Sequence, residues 1–176
     1  HVVGQGQDDN FGIVLYSRYP LTDAELINFA ADSMPSLVAT AAVQDEELAI
    51  VGTHPLPPVS PQYFQSRNQQ LEQLGQYVQT LAQPAVVIGD LNITMWSPYY
   101  RHLQQQTGLQ NVRHGFGILP SWPSAASFRS LPSWLPPLLA IPIDHGLVSP
   151  TLTVMQVQIG PDVGSDHRPV LIDLRL

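Results

Sequence analysis

Four short stretches of this chain end in residue types that can handle a phosphate. Leu48-Ala49-Ile50-Val51-Gly52 runs into Thr53-His54, and Ala85-Val86-Val87-Ile88-Gly89 runs into Asp90-Leu91-Asn92. Ile141-Pro142-Ile143 is followed by Asp144-His145, and Asp166-His167 comes just before Val170-Leu171-Ile172-Asp173-Leu174. Hydrolysis of a phosphate ester needs a divalent cation on the non-bridging oxygens, a group that orients or deprotonates water, and help for the departing oxygen. A hard cation such as Mg²⁺ takes oxygen ligands and keeps several waters, so a few carboxylates and a carboxamide suffice. Asp90, Asn92, Asp144 and Asp166 supply those oxygens, with His54 and His167 beside them.

The spacing adds content. In an extended backbone, residues i and i+2 share a face, so Asp90 and Asn92 are expected to point together while Leu91 packs away. The competing reading is an Asx-type turn that closes the strand. Asp144 is expected to orient His167, since a carboxylate fixes an imidazole's tautomer and stabilises its charged form. Other templates are missing: there is no lysine for a phosphate-binding P-loop, no G-x-S-x-G elbow and no H-E-x-x-H. Ser165-Asp166-His167 is no hydrolase triad, because adjacent residues of a strand face opposite ways.

The elements that must position these groups follow from periodicity. Residues 1–10 are polar and read as a loop or frayed end, and Phe11 to Ser17 reads as a buried strand. Residues 21–34 suggest an irregular connection or a short helix. Ser36–Val43 and Glu47–Gly52 pattern as a hairpin. Leu71, Leu74, Val78 and Leu81 mark the buried face of a helix over 61–82, ended by Pro84. Ser97-Pro98 caps a second helix that closes at Gly108. Residues 115–142, with six prolines and with Trp122 and Trp134, form a long structured loop. Two strands over 146–149 and 151–159 precede the last strand, and 1–176 reads as a single domain. His102, His114 and His145 are expected to be structural or surface residues and Arg67 a solvated helix residue. Trp96 either lines a pocket or packs.

Composition limits the partners. The chain has 176 residues, is 44% hydrophobic, and carries a net charge of −7 with all seven basic residues arginine. A protein that grips a long polyanion needs a basic stripe, and none is present, so tight nucleic-acid binding is not expected. A small phosphate ester is not disfavoured. There is no cysteine, hence no disulfide or thiolate chemistry. Nothing in the sequence sets the oligomeric state.

Gly52-Thr53-His54-Pro55, Val87-Ile88-Gly89-Asp90-Leu91-Asn92, Ile143-Asp144-His145 and Gly164-Ser165-Asp166-His167-Arg168-Pro169-Val170 resemble, in order, the motifs of the endonuclease/exonuclease/phosphatase superfamily. The resemblance implies a two-sheet α/β sandwich of the deoxyribonuclease-I-like type with mixed and antiparallel sheets. It also implies a phosphodiesterase or phosphomonoesterase that depends on Mg²⁺ or Mn²⁺. By residue, Asp90 would position water and Asn92 would contact phosphate, both near the metal, and Asp166 would help hold that metal. His167, oriented by Asp144, would hold phosphoryl oxygens or transfer protons, and His54 would bind phosphate or assist the leaving group. The family's upstream Asn and metal-ligating Glu have no counterparts here, so the chain reads as the C-terminal two-thirds of such a domain, incomplete at its N-terminal side. A non-catalytic binding or scaffold domain on the same fold is the alternative. A small or lipid phosphodiester is favoured over long duplex DNA. Resemblance to bacterial members tethered outside the cytoplasmic membrane makes an extracytoplasmic or membrane-tethered location the expectation.

Overall fold

The computed structural model describes residues 1–6, 11–31, 33–128, 132 and 135–176. In chain order the elements are β1 (Val2–Gln5), β2 (Ile13–Tyr16), β3 (Leu21–Ile27), β4 (Ser36–Val43), β5 (Glu46–Gly52), α1 (Pro61–Gln79), β6 (Ala85–Asp90), α2 (Pro98–Thr107), β7 (Gln110–Asn111), α3 (Leu135–Leu138), β8 (Asp144–Val148), β9 (Thr153–Ile159) and β10 (Val170–Arg175). Six strands form one mixed sheet in the order β3-β4-β5-β6-β8-β7, while β1-β2 and β9-β10 are separate antiparallel pairs. Among the described residues only β5 and β6 pair in parallel, and the crossover between them is α1.

The alternation of β6 sorts its side chains between two cores. Val87 joins Val38, Val51 and Leu147 against Leu71, Leu74 and Val78 of α1 and Tyr100 and Leu103 of α2. Val86 and Ile88 turn to the other face and meet Val157 of β9 and Val170, Ile172 and Leu174 of β10. The layers are therefore helices, central sheet, and a second, smaller β layer. Leu74 is fully buried, so Leu74→Ala costs about 2–5 kcal/mol.

Both long helices begin as the sequence dictates. The Ser60 hydroxyl accepts the Tyr63 N–H ahead of Pro61, and the Ser97 hydroxyl accepts the Tyr99 N–H ahead of Pro98. Gly108 ends α2 at φ 71°, where a side chain is disfavoured. Helix α1 stops at Gln79, three residues before its expected end, with the Thr80 N–H turned back to Tyr77.

Three expectations are corrected. Residues 2–5 are not a frayed loop but strand β1, paired Val2 to Tyr16 through Gln5 to Ile13, with the terminal ammonium donating to the Ser17 carbonyl at 2.8 Å. The remainder of that stretch, 7–10, lies outside the described residues, as does Trp134. Strand β2 is only half-buried, because one face alone is covered: Val14 and Tyr16 remain exposed. Residues 21–27 form β3, an edge strand paired with β4 whose register shifts between Thr22 and Glu25 around Asp23 at φ 50°. A bulged edge with one face in water carries polar residues without clean alternation, which is why it reads as irregular. Among the described residues, no helix is long and apolar enough to cross a membrane.

Candidate active site

The site lies where β5 and β6 end, β8 begins and the loop before β10 closes. Asp90 and Asp144 are cross-strand partners in the β6–β8 ladder, so the topology alone brings two carboxylates side by side. Gly89 makes the approach possible. Its φ is 145°, and a Cβ there would meet the Thr53 carbonyl oxygen at 1.9 Å.

His54 leaves β5 with its Nε2 3.5 Å from Asp90 Oδ2, and its ring tilts against Phe11 with centroids 5.2 Å apart. Behind it, Thr53 Oγ1 is buried against Ser36 Oγ at 2.7 Å and accepts from Gln70 Nε2 at 3.1 Å. His167 Nδ1 lies 2.9 Å from Asp144 Oδ2, and its Nε2 lies 3.7 Å from Asp90 Oδ2. One ligand atom each from Asp90, Asp144 and His167 falls within 4.8 Å of the others. Asp90, the most enclosed of these groups, has a side chain 12% exposed.

Asn92 does not share an extended face with Asp90. It sits at φ 49°, its N–H donates to Asp90 Oδ1 at 2.7 Å, and its Nδ2 donates to the Pro55 carbonyl at 2.9 Å. The Asx turn and the functional carboxylate coexist: Asp90 uses Oδ1 for the turn and presents Oδ2 to the two histidines. Leu91 packs away, fully buried. Asp166 is exposed and stands outside the three-residue cluster, its carbonyl accepting from the Ser124 N–H and the Ser127 hydroxyl. Glu25, Glu46 and Glu47 are exposed on β3 and at the β4–β5 turn, so no glutamate of the described residues joins the cluster.

Two neighbouring buried carboxylates cannot both ionise cheaply, and their surroundings divide the burden. Burial and the adjacent Asp144 push Asp90 up to about 7. Burial also opposes ionisation of Asp144, but hydrogen bonds from His167 and Ser121 outweigh it and hold Asp144 below its ordinary value. His167 goes the other way: burial disfavours its charge, yet Asp144, Asp90 and Asp166 raise it above 6.5. Burial and the charge of His167 depress His54. Near neutrality the site thus holds an ionised Asp144, a neutral His54, an Asp90 poised between states and a His167 whose proton affinity is raised.

Several supporting residues escape a reading of the sequence. Arg67 is not solvated but 4% exposed, its Nη1 donating to the Asn92 carbonyl at 2.8 Å. The helical spacing does signal this, since Arg67 lies one turn before the buried Leu71. His145 is structural, as expected. Burial pushes it down to about 4, and its Nε2 faces the Ile93 carbonyl at 2.7 Å while Arg113 approaches Nδ1. Ser121 and Ser124, flanking Trp122-Pro123, are buried and fasten the loop that carries His167. The Ser124 hydroxyl donates to the Ser165 carbonyl at 2.5 Å, and the Ser121 carbonyl accepts the Arg168 N–H at 2.9 Å. Trp122 lies with its ring centroid 6.3 Å from that of His167, whereas Trp96 is 54% exposed. His102 is a surface residue paired with Glu72, and His114 is exposed. A cavity of about 560 Å³ between β6, β8 and β10 opens at Asp144 and His167 and is lined by Val86, Ile88, Val170 and Ile172.

This fold has known counterparts. The model of the endonuclease/exonuclease/phosphatase family matches residues 1–167. The chain therefore belongs to that family. Among solved structures, an endonuclease/exonuclease/phosphatase from Beutenbergia cavernae is 21% identical, with TM-score 0.70, 94% of this chain covered and 47% of that one. D. rerio TDP2, solved with a single-strand DNA product, is 21% identical with TM-score 0.75, covering all of this chain and 77% of that one. The 3′ phosphatase NExo from Neisseria, bound to a product DNA hairpin, is 20% identical with TM-score 0.74, covering all of this chain and 79% of that one. The chain thus spans 47% of the first of these and over three quarters of the other two. No curated protein matches it. At these identities the likeness concerns the fold, which is the deoxyribonuclease-I-like α/β sandwich with mixed and antiparallel sheets.

Proposed function

We propose that this chain carries the site of a divalent-metal-dependent phosphoesterase acting on a small or lipid phosphate ester. The observation that supports it most is the convergence of Asp90, Asp144 and His167, from three separate segments, with ligand atoms within 4.8 Å. Those donors suit Mg²⁺ or Mn²⁺ through the two carboxylates, with one acid, Asp90, so disfavoured by burial and by Asp144 that a cation beside it relieves the repulsion. Asp90 and Asp144 would hold the ion, which would neutralise phosphoryl oxygens and acidify a bound water.

The chain's own groups then divide the remaining work. Asp90 Oδ2, turned into the site, would orient the attacking water and accept its proton. His167, its Nδ1 held by Asp144, faces the phosphoryl oxygens with Nε2, and neutral His54 presents its ring nitrogen to the same phosphate or to the departing oxygen. Asn92, whose amide already serves Pro55, shapes the loop and meets the phosphate only if that bond is released.

The preference for a small substrate is supported by the arginines. Arg67 and Arg113 are buried, and Arg168 is engaged with the Gly160 carbonyl, so few described cations are left for a polyanion. The lack of a glutamate in the cluster favours a second reading, a binding domain without turnover. Hydrolysis of bis-p-nitrophenyl phosphate with Mg²⁺, Mn²⁺ or EDTA separates the two. Metal-dependent turnover that disappears in His167→Ala supports the enzyme; none from folded protein, for this or p-nitrophenyl phosphate, favours the binding domain.

A further inference from the structure

We propose that Arg67 and Arg113 are positioning residues, two buried guanidinium groups that grip the backbone carbonyls of Asn92 and Asp144 and thereby set where the site's carboxylates stand. The kinetic meaning of this rests on the phosphoesterase reading; the structural claim does not.

Burial of a cation is costly unless it is paired, and arginine is seldom fully buried without a carboxylate. Arg67 is 4% and Arg113 2% exposed, yet neither takes part in an ion pair among the described residues. What they bond instead is mostly backbone beside the site. Arg67 Nη1 donates to the Asn92 carbonyl at 2.8 Å, while Nε and Nη2 share Asn68 Oδ1 and the Phe64 ring lies 4.9 Å from Cζ. Arg113 Nη2 donates to the Asp144 carbonyl at 2.6 Å and to the Leu119 carbonyl at 3.3 Å, and its Nη1 lies 3.5 Å from His145 Nδ1. Its Nε has no hydrogen-bond partner among the described residues. An orphaned buried donor is a cost, accepted here in a geometry that keeps Nη2 on Asp144.

Each grip acts where the backbone needs it. Asn92 stands at φ 49°, a region non-glycine residues seldom occupy. Its peptide groups are fixed on one side by Asp90 Oδ1 and on the other by Arg67. Arg113 fixes the Asp144 carbonyl, and the next residue, His145, reaches across to the Ile93 carbonyl at 2.7 Å. The two arginines therefore brace the strand ends that carry Asp90 and Asp144.

The test uses Arg67→Met and Arg113→Met, their lysine counterparts, and the exposed Arg101→Met as control, each with thermal unfolding recorded. Amide hydrogen exchange should rise locally, over 90–94 for Arg67→Met and over 143–146 for Arg113→Met. In the enzyme, kcat should fall roughly 10- to 100-fold, as expected for a misplacement of about 1 Å, with KM within about twofold. Lysine, which keeps a charge and a donor, should recover part of both effects, and Arg101→Met should change neither. Unaltered exchange in those segments, a uniform rise across the chain, or lysine variants no better than methionine would each overturn the proposal. Wild-type protein with no metal-dependent turnover overturns the phosphoesterase reading instead, and the exchange pattern alone then decides whether these arginines hold the two segments.

Discussion

His167 Nδ1 lies 2.9 Å from Asp144 Oδ2 across 23 positions of sequence. Because an ionised carboxylate only accepts, Nδ1 carries the hydrogen and Nε2 is turned toward Asp90, 3.7 Å away. This pair joins the loop before β10 to the start of β8 and sets the state of the imidazole that, in the proposed function, meets the phosphate. Replacing His167 by Ala should lower kcat by roughly 10²–10⁴-fold, the usual worth of a positioned acid or base. Asp144→Asn should also lower activity, with KM little changed. Steady-state kinetics on folded variants checks both, and wild-type rates in His167→Ala would remove it from the mechanism.

The same pair gives a signed pH dependence. Asp144 is depressed on folding, so its stabilisation is present above its ordinary value of 3.8 and is lost as pH falls through the lowered one. His167 is raised, so its contribution is complete below 6.5 and is lost as pH rises through the elevated value. The pair should therefore stabilise most between about pH 4 and 6.5. Urea unfolding of wild type and Asp144→Asn across pH should show a difference largest in that window and smaller on both sides.

Asp90 behaves oppositely. Its value rises from 3.8 to about 7 on folding, so the native state is progressively disfavoured as pH climbs between those values and stays so above them. In metal-free buffer near pH 8, Asp90→Asn should unfold at a higher temperature than wild type. An unchanged or lower melting temperature contradicts the assignment.

Divalent metal should act through the same carboxylate. Mn²⁺ should raise the wild-type melting temperature in a concentration-dependent way, as binding to the native state alone requires, and EDTA should reverse it. Asp90→Asn should lose most of the shift. A shift that survives in the variant places the ion elsewhere.

The loop bearing His167 depends on Ser124. Its hydroxyl is buried and donates to the Ser165 carbonyl, so Ser124→Ala should cost about 1–3 kcal/mol. It should also lower kcat by loosening His167. Denaturant unfolding together with kinetics tests this, and a stable variant of unchanged kcat would show that the loop is held by other bonds.

The chain's local chemistry was legible without coordinates. The cap at Ser97, the glycine at 108, the 3/4 spacing of Leu71, Leu74 and Val78, and the apolar runs ahead of His54, Asp90 and Asp144 all express short-range rules that neighbouring residues obey. The edge elements were not legible. Strand β3 and strand β1 exist because of the partners they lie against, and an edge facing water on one side leaves no clean alternation to read. At the site, sequence supplied the residue types, whereas tertiary structure decided their relations. It placed Asp90 opposite Asp144, turned Asn92 into an Asx turn, left Asp166 outside the cluster and buried Arg67 and Arg113 behind it. Those outcomes depend on which strand ends meet across the sheet and on how little water reaches them. Burial and proximity of this kind separate the proton affinities of two aspartates that look alike in sequence.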